Sequence, residues 1–480
     1  MSVDAVPDEV PARAAGSRAR ARGLTLTAIV GAEFMLQLDG TVVNVALPAL
    51  QSDLGLSAAA GSWVPNAFLL AFGGLLLLAG RLGDAFGHRR VFVGGLGLVV
   101  LASLLAGLAP GVELLLAGRL LQGAGAALAG PNGLALLAVV FEGERRQRAF
   151  GLYSTVTGLG ASAGMVLGGV LTWAGDWRWS LLVNVPVGLL IIVLSLTTPG
   201  LAGAGTRSRP LGLLSAALVT AAVGTAVYGL VHAAEQGWGD AGTLVPLAGS
   251  AALWVLLAVV DPRTSEPLLP AAVLAGRERA GAFVDLLLLA AVLTGFLVYL
   301  VQYLRGVLHF NALQSGLAVL PFGLALLLST QVLTPYVSGV GLKTRALLGL
   351  GVVLAGVAWL ARLDADSSYL TGVLPQIVLV GLGVGVAIVP FNMIILSAAP
   401  PEHAGVAAGV LQTALTVGGS LGLAVLLIPF TGGDGEIAGT ISTVFLWAAG
   451  ATVLALLVSV LLWYGPGARR AAPPERAAEA

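Results

Sequence analysis

Cysteine is absent from the 480 residues, which excludes disulfides, thiolate metal sites and thiol nucleophiles together. Charge is scarce as well. Only 10% of the residues are Asp, Glu, Lys or Arg, against about 25% in an ordinary soluble chain. The net charge is zero, so nothing points to nucleic acid as a partner. The four histidines, His88, His232, His309 and His403, are scattered, and no metal-binding set or catalytic constellation stands out. Two glycine runs, "GAGAALAG" (123–130) and "GLGVGVAIV" (381–389), imitate nucleotide loops. Neither follows a strand, and a phosphate cradle requires a strand–turn–helix setting.

What fills the chain instead is apolar. Hydrophobic residues make up 57% of it and the mean hydropathy is +0.95. Runs near the twenty residues needed to cross a bilayer core recur along the whole length. They centre on 24–47, 61–79, 91–109, 113–134, 150–173 and 179–198, then 211–232 and 243–260, then 280–302, 311–332, 346–362, 371–396, 405–429 and 440–464. These fourteen runs define an all-α polytopic membrane protein. With an even count both termini share a side, and that side holds twenty of the Lys and Arg residues against three on the other. The positive-inside rule makes it the cytoplasm, so the tails 1–23 and 465–480 are expected there. Arginine outnumbers lysine 23 to 1 amid abundant alanine and glycine, a composition associated with GC-rich bacterial genomes.

A shift of 254 residues superimposes Gly87 on Gly341, Arg89 on Lys343, Gly151 on Gly405, Gly164 on Gly418 and Gly168 on Gly422. We therefore expect a six-helix bundle over 24–200, a second over 280–464, and two additional helices between them over 211–260. Parallel repeats of this kind are a transporter architecture with the site near the bilayer midplane.

The motifs then carry a resemblance. "GRLGDAFGHRR" (80–90) resembles the loop signature of the major facilitator superfamily through Gly80, Asp84, Gly87, Arg89 and Arg90. "LDGTVVNVALPAL" (38–50), "LLLAGRLLQGAGAA" (114–127) and "WRWSLLVNVPVG" (177–188) are similar to helix motifs of its fourteen-span drug:proton antiporter family. The chain departs from that family at Met165, where the fifth-helix motif has proline, at Leu415, and at Ser338, which stands where the first loop copy has Asp84. The resemblance implies the major facilitator fold and a helix-packing motif at Gly160, Gly164, Gly168 and Gly169. It also implies a latch between the halves at Asp84; a plain topology signal accounts for Arg89 and Arg90.

Ionisable groups inside spans are costly and are functional candidates by default. They are Glu33, Asp39, Arg119 and Asp285. At 1.5 Å per residue Asp39 lies roughly 22 Å above the inner end of its helix and Arg119 roughly 9 Å below the outer end of its own. In a core of about 30 Å the two share a depth and can pair, as a proton-coupling site or as a packing pair. Glu33 faces about 120° away from Asp39 and falls on a stripe with Gln37, Gly40, Thr41 and Asn44. That stripe, with Gln122, is expected to line a wet cavity or to form a polar helix seam. Glu33 is the rival proton carrier; Asp285, near the inner end of its helix, could reach water.

The expected function is a proton-coupled exporter of apolar or amphipathic drug-like compounds. It would work as a monomer in a bacterial cell membrane and use the proton gradient in place of a cofactor. A symporter, uniporter or lipid mover remains open, and outside transport a membrane sensor or scaffold. No enzymatic activity is expected.

Overall fold

The computed structural model describes residues 12–56, 58–174, 176–198, 213–264, 267, 273, 276–333, 336–337, 339–397, 403–431 and 437–465. Among these residues every regular element is helical, as a bilayer requires of a chain that must satisfy its backbone groups internally. The first half comprises α1 (Ala12–Leu54), α2 (Ala58–Phe86), α3 (His88–Gly107), α4 (Val112–Val140), α5 (Gly143–Ala174) and α6, the last broken at Val183 into Arg178–Leu182 and Asn184–Thr197. Two more follow, α7 (Leu213–Gln236) and α8 (Ala241–Val260). The second half comprises α9 (Arg277–Gly306), α10 (Ala312–Leu328), α11 (Leu342–Leu360), α12 (Leu374–Ser397), α13 (Ala404–Thr431) and α14 (Ile437–Tyr464). Thirteen of the fourteen are long and apolar enough to span. The other, α5, opens with a charged turn and is rich in small residues; its 32 residues reach about 48 Å, more than the thickness of a bilayer core.

Both halves are built alike. In each, the third helix packs along the fourth and the first along the fifth. The first–fifth seam explains the glycine register. A Cβ on Gly168 would lie 3.1 Å from the Val42 backbone of α1, and a Cβ on Gly422 only 2.2 Å from the Ala291 carbonyl of α9. Only hydrogen allows backbones that close, the small-residue logic of membrane helix pairs. The same register thus forms the same contact in both halves.

The halves meet along two seams. On one, α2 packs on α13; on the other, α5 packs on α10 and α12. The additional pair closes over the first seam, with α7 touching both α2 and α13. Trp238 donates to the Ala424 carbonyl at 3.2 Å, and Ser250 of α8 donates to Ala222 of α7 at 2.7 Å. The pair is therefore clamped across both halves. Outward faces such as Leu189, Leu190 and Val193 of α6, or Val245 and Val255 of α8, are exposed and apolar, fit for lipid tails.

The end of the bundle that carries the α2–α3 turn is called the basic end below. At the opposite end Asp53, after the apolar part of α1, bonds Trp177 Nε1 at 3.0 Å and Arg178 at 3.0 Å. Those two donors, the indole first, hold the Asp53 carboxyl below the usual carboxylate range. Also at that end, Asp240 caps α8 through Gly242 N–H at 2.6 Å and pairs with His232 of α7 at 2.9 Å. The His232 bond and then the cap hold its carboxyl low.

Candidate functional site

Among the described residues, three polar clusters lie within the helix bundle. The first is a knot inside the first half. Arg119 Nη1 donates to Asp39 Oδ2 at 2.7 Å, with both side chains essentially unexposed. Asn184 of α6 donates to Asp39 Oδ1 at 2.5 Å, and Gln122 bridges to it at 3.4 Å and to Ser103 of α3 at 2.7 Å. Arg119 also donates to the Val64 carbonyl at 3.2 Å and lies 4.6 Å from the Phe68 ring centroid. Five helices share this knot. Gln122 does not line a cavity, contrary to expectation: it is fully buried because Arg119 and Ser103 occupy its amide.

The second cluster surrounds Glu33. Its carboxylate accepts from Tyr153 Oη of α5 at 2.7 Å, from Gln37 at 2.8 Å and from Thr157 at 3.0 Å. Every donor is neutral, and Glu33 is 4% exposed. Gln412 of α13 then donates to Tyr153 Oη at 3.2 Å, carrying the cluster into the second half. On the next two residues of α5, Ser154 receives Asn392 at 3.5 Å and Thr155 pairs with Thr330 at 2.5 Å. The polar stripe of α1 is part seam and part open edge. Gln37 and Thr41 face Gly160 and Gly164 of α5, while no atom lies within 4 Å of where a Cβ on Gly40 would sit. The side-chain surroundings of Asn44, Met165 and Gly169 lie outside the described residues, as does Ser338.

The third cluster is the loop motif. Asp84 accepts backbone N–H bonds from Gly405 at 2.8 Å and Val406 at 3.0 Å, the first turn of α13. There the unpaired N–H groups and the positive end of the helix dipole favour a carboxylate. Gly80 makes the approach possible, since a Cβ there would lie 2.2 Å from the Gly405 carbonyl. His88 Nε2 stands 3.5 Å from Asp84 and its Nδ1 2.9 Å from Asn132 Oδ1. Gly87 starts α3 at φ +94°, a turn that a side chain would strain. Arg89 does not pair with Asp84; it donates to the Ser195 and Leu196 carbonyls at the end of α6, at 3.0 and 2.9 Å. Arg90 is exposed.

Asp285 belongs to none of these. It is buried rather than open to water as expected; Ser459 of α14 donates to one of its oxygens at 2.5 Å, and the other oxygen is enclosed by the packed helices. Sequence reasoning did not single out Tyr153, Gln412, Asn184, Ser103, His88 or Asn132 as site residues. Asn184 lay within a quoted motif; Tyr153 and Gln412 carried no signal, being single polar residues on separate helices.

Two helix bundles of like build, joined at a central interface that contains buried polar groups, have the architecture of a membrane transporter. The chain belongs to the Major Facilitator Superfamily, whose profile matches residues 29–423. It is 38% identical to the puromycin resistance protein of Streptomyces alboniger, over 96% of this chain and 94% of that one. It is 36% identical to the cephamycin export protein of Amycolatopsis lactamdurans, over 92% of each. The fold is also that of the human organic anion transporter MFSD10, with a TM-score of 0.66 at 16% identity over 91% of this chain and 99% of the other. The protein is a multi-pass transporter related to antibiotic resistance and export proteins, not an enzyme.

Proposed function

We propose that this protein exports apolar or amphipathic drug-like compounds from the bacterial cytoplasm in exchange for protons, with both termini and the basic end inside. The observation that carries the reading is Glu33, a buried carboxyl held only by neutral donors where the two halves meet. Neutralising Asp39 strands a buried guanidinium, and breaking such a pair costs about 3–5 kcal/mol. Neutralising Glu33 strands no charge. Glu33 is therefore the proton carrier, and the Asp39–Arg119 knot holds α1, α4 and α6 in register around it. Asp84 on the first turn of α13 is the latch that closes the basic end. The proton gradient supplies the work, about 2.3 kcal/mol per charge per 100 mV. The relatives' roles in puromycin resistance and cephamycin export support the substrate class.

Vesicles containing the protein, an internal pH dye and an imposed proton gradient test this. Adding puromycin or a lipophilic cation should move protons against the direction of drug flow. Glu33→Gln should abolish that movement while drug binding persists. Drug and protons moving the same way would establish symport, and drug movement indifferent to the gradient a uniporter; either overturns antiport.

A further inference from the structure

The hydroxyl of Tyr153 is shared between the two halves of the protein. Its proton goes to Glu33 at 2.7 Å, and its oxygen receives Gln412 Nε2 of α13 at 3.2 Å. Tyr153 is 6% exposed and Gln412 8%, so water does not compete freely for either bond. A phenol has one proton to give and lone pairs with which to accept, whereas a carboxylate only accepts. Donation to a carboxylate polarises the phenol and makes its oxygen a better acceptor for the next bond in the chain. Once Glu33 takes a proton it has a hydrogen of its own and a weaker claim on its three donors. Thr157 has a second acceptor in the Tyr153 carbonyl at 3.0 Å, so its hydroxyl remains satisfied. Tyr153 is the donor whose release is felt across the interface, at the α5 turn that also bears the Ser154–Asn392 and Thr155–Thr330 contacts.

We propose that Tyr153 relays the charge state of Glu33 to Gln412, so that the ionised carboxyl draws α5 and α13 together and the protonated carboxyl lets them part. This rests on the reading of Glu33 as the proton carrier. The sign suits export: protonation from outside opens the basic end, and drug binding that expels the proton closes it. Tyr153 is a positioning residue here, acting through Glu33. Other ionisable groups on the helices against α1 are Glu113 and Arg119 of α4, Arg81 and Asp84 of α2, Arg178 of α6 and the charged first turn of α5. None of them donates to Glu33; Arg119 is held by Asp39, and Arg178 by Asp53 and Asp176. His88 beside Asp84 is a second titratable group at the same interface, so its share must be separated.

Full-length protein in lipid nanodiscs, spin-labelled at Glu144→Cys and Tyr336→Cys on the exposed basic end, reports the separation of the halves by pulsed electron resonance. Distances are recorded from about pH 5 to about pH 9. Acid should shift the wild type toward the longer distance, and Glu33→Gln should remove one pH-dependent component, leaving that of His88. Tyr153→Phe, with Glu33 intact, should remove the same component. The loss of one neutral bond corresponds to about a 2- to 12-fold change in the closed-to-open ratio. Gln412→Met should do likewise, and decides the matter if Tyr153→Phe does not fold. If Glu33→Gln keeps the full pH response, the assignment of Glu33 fails and the relay with it. If Glu33→Gln loses the component while a folded Tyr153→Phe or Gln412→Met retains it, Glu33 stands and the relay is wrong.

Discussion

Asp39 and Glu33 lie on one helix and are both buried acids, yet their surroundings separate them completely. Asp39 has a cation and two amides; Glu33 has two hydroxyls and one amide. Replacing Asp39 with alanine should lower stability by about 3–5 kcal/mol through the stranded Arg119. Thermal unfolding in detergent should show it plainly, while Glu33→Gln should unfold close to the wild type. A wild-type unfolding temperature for Asp39→Ala would mean the pair contributes nothing to the fold. Asp84 invites a different measurement. Each hydrogen bond to its charge contributes about 1.5–3 kcal/mol, so Asp84→Asn should weaken closure at the basic end. A cysteine at the buried interface position Ser154 should then react with an impermeant maleimide from that end about tenfold faster. An unchanged rate would reduce Asp84 to a turn residue. The charges at both sites were legible along the chain because any charge in an oily helix stands out. Their partners were not, since a tyrosine or glutamine becomes notable only once folding places it beside a carboxylate.

The α1–α5 and α9–α13 seams depend on backbone approach. Gly422→Ala would put a methyl group 2.2 Å from the Ala291 carbonyl, and overpacking typically costs about 1–3 kcal/mol. Gly351→Ala, where nothing lies within 4 Å, should instead be neutral or stabilising by about 0.5–1 kcal/mol. Parallel unfolding curves for the two variants check the contrast, and equal effects would remove close approach as the reason for the glycine register. The link between α1 and α6 is sensitive to acid. Because the Asp53 carboxyl is held below its unfolded value, its contribution is present above the ordinary carboxylate range and lost as pH falls through the folded value. Asp53→Asn should lower stability at neutral pH, where the contribution is fully present, and flatten the acid limb, so that variant and wild-type unfolding curves measured across pH converge in acid.

Across the molecule, the extra helix α7 bears on both halves, and α8 packs on α7. The apolar runs revealed their existence, but not that α7 would bridge α2 and α13 with Trp238 anchored on Ala424. Orientation is testable directly because the chain has no native cysteine. Cysteines at Asp53 and Asp240 should label in intact cells, and those at Glu144 and Tyr336 only after permeabilisation. The reverse pattern would overturn the assignment of the basic end to the cytoplasm and, with it, the direction of export.

Span number and helical class follow from the sequence because a bilayer punishes every unsatisfied backbone group and every stray charge, leaving a one-dimensional record in hydropathy. The internal repeat is equally legible, since the same close helix approach demands glycine at the same register in both halves. Pairing is another matter. That Asp39 takes Arg119, that Arg89 turns away from Asp84 to the end of α6, and that Glu33 reaches the second half through Tyr153 all depend on how the helices cross. Crossing is decided by summed packing over whole helix faces, to which no single residue along the chain bears witness.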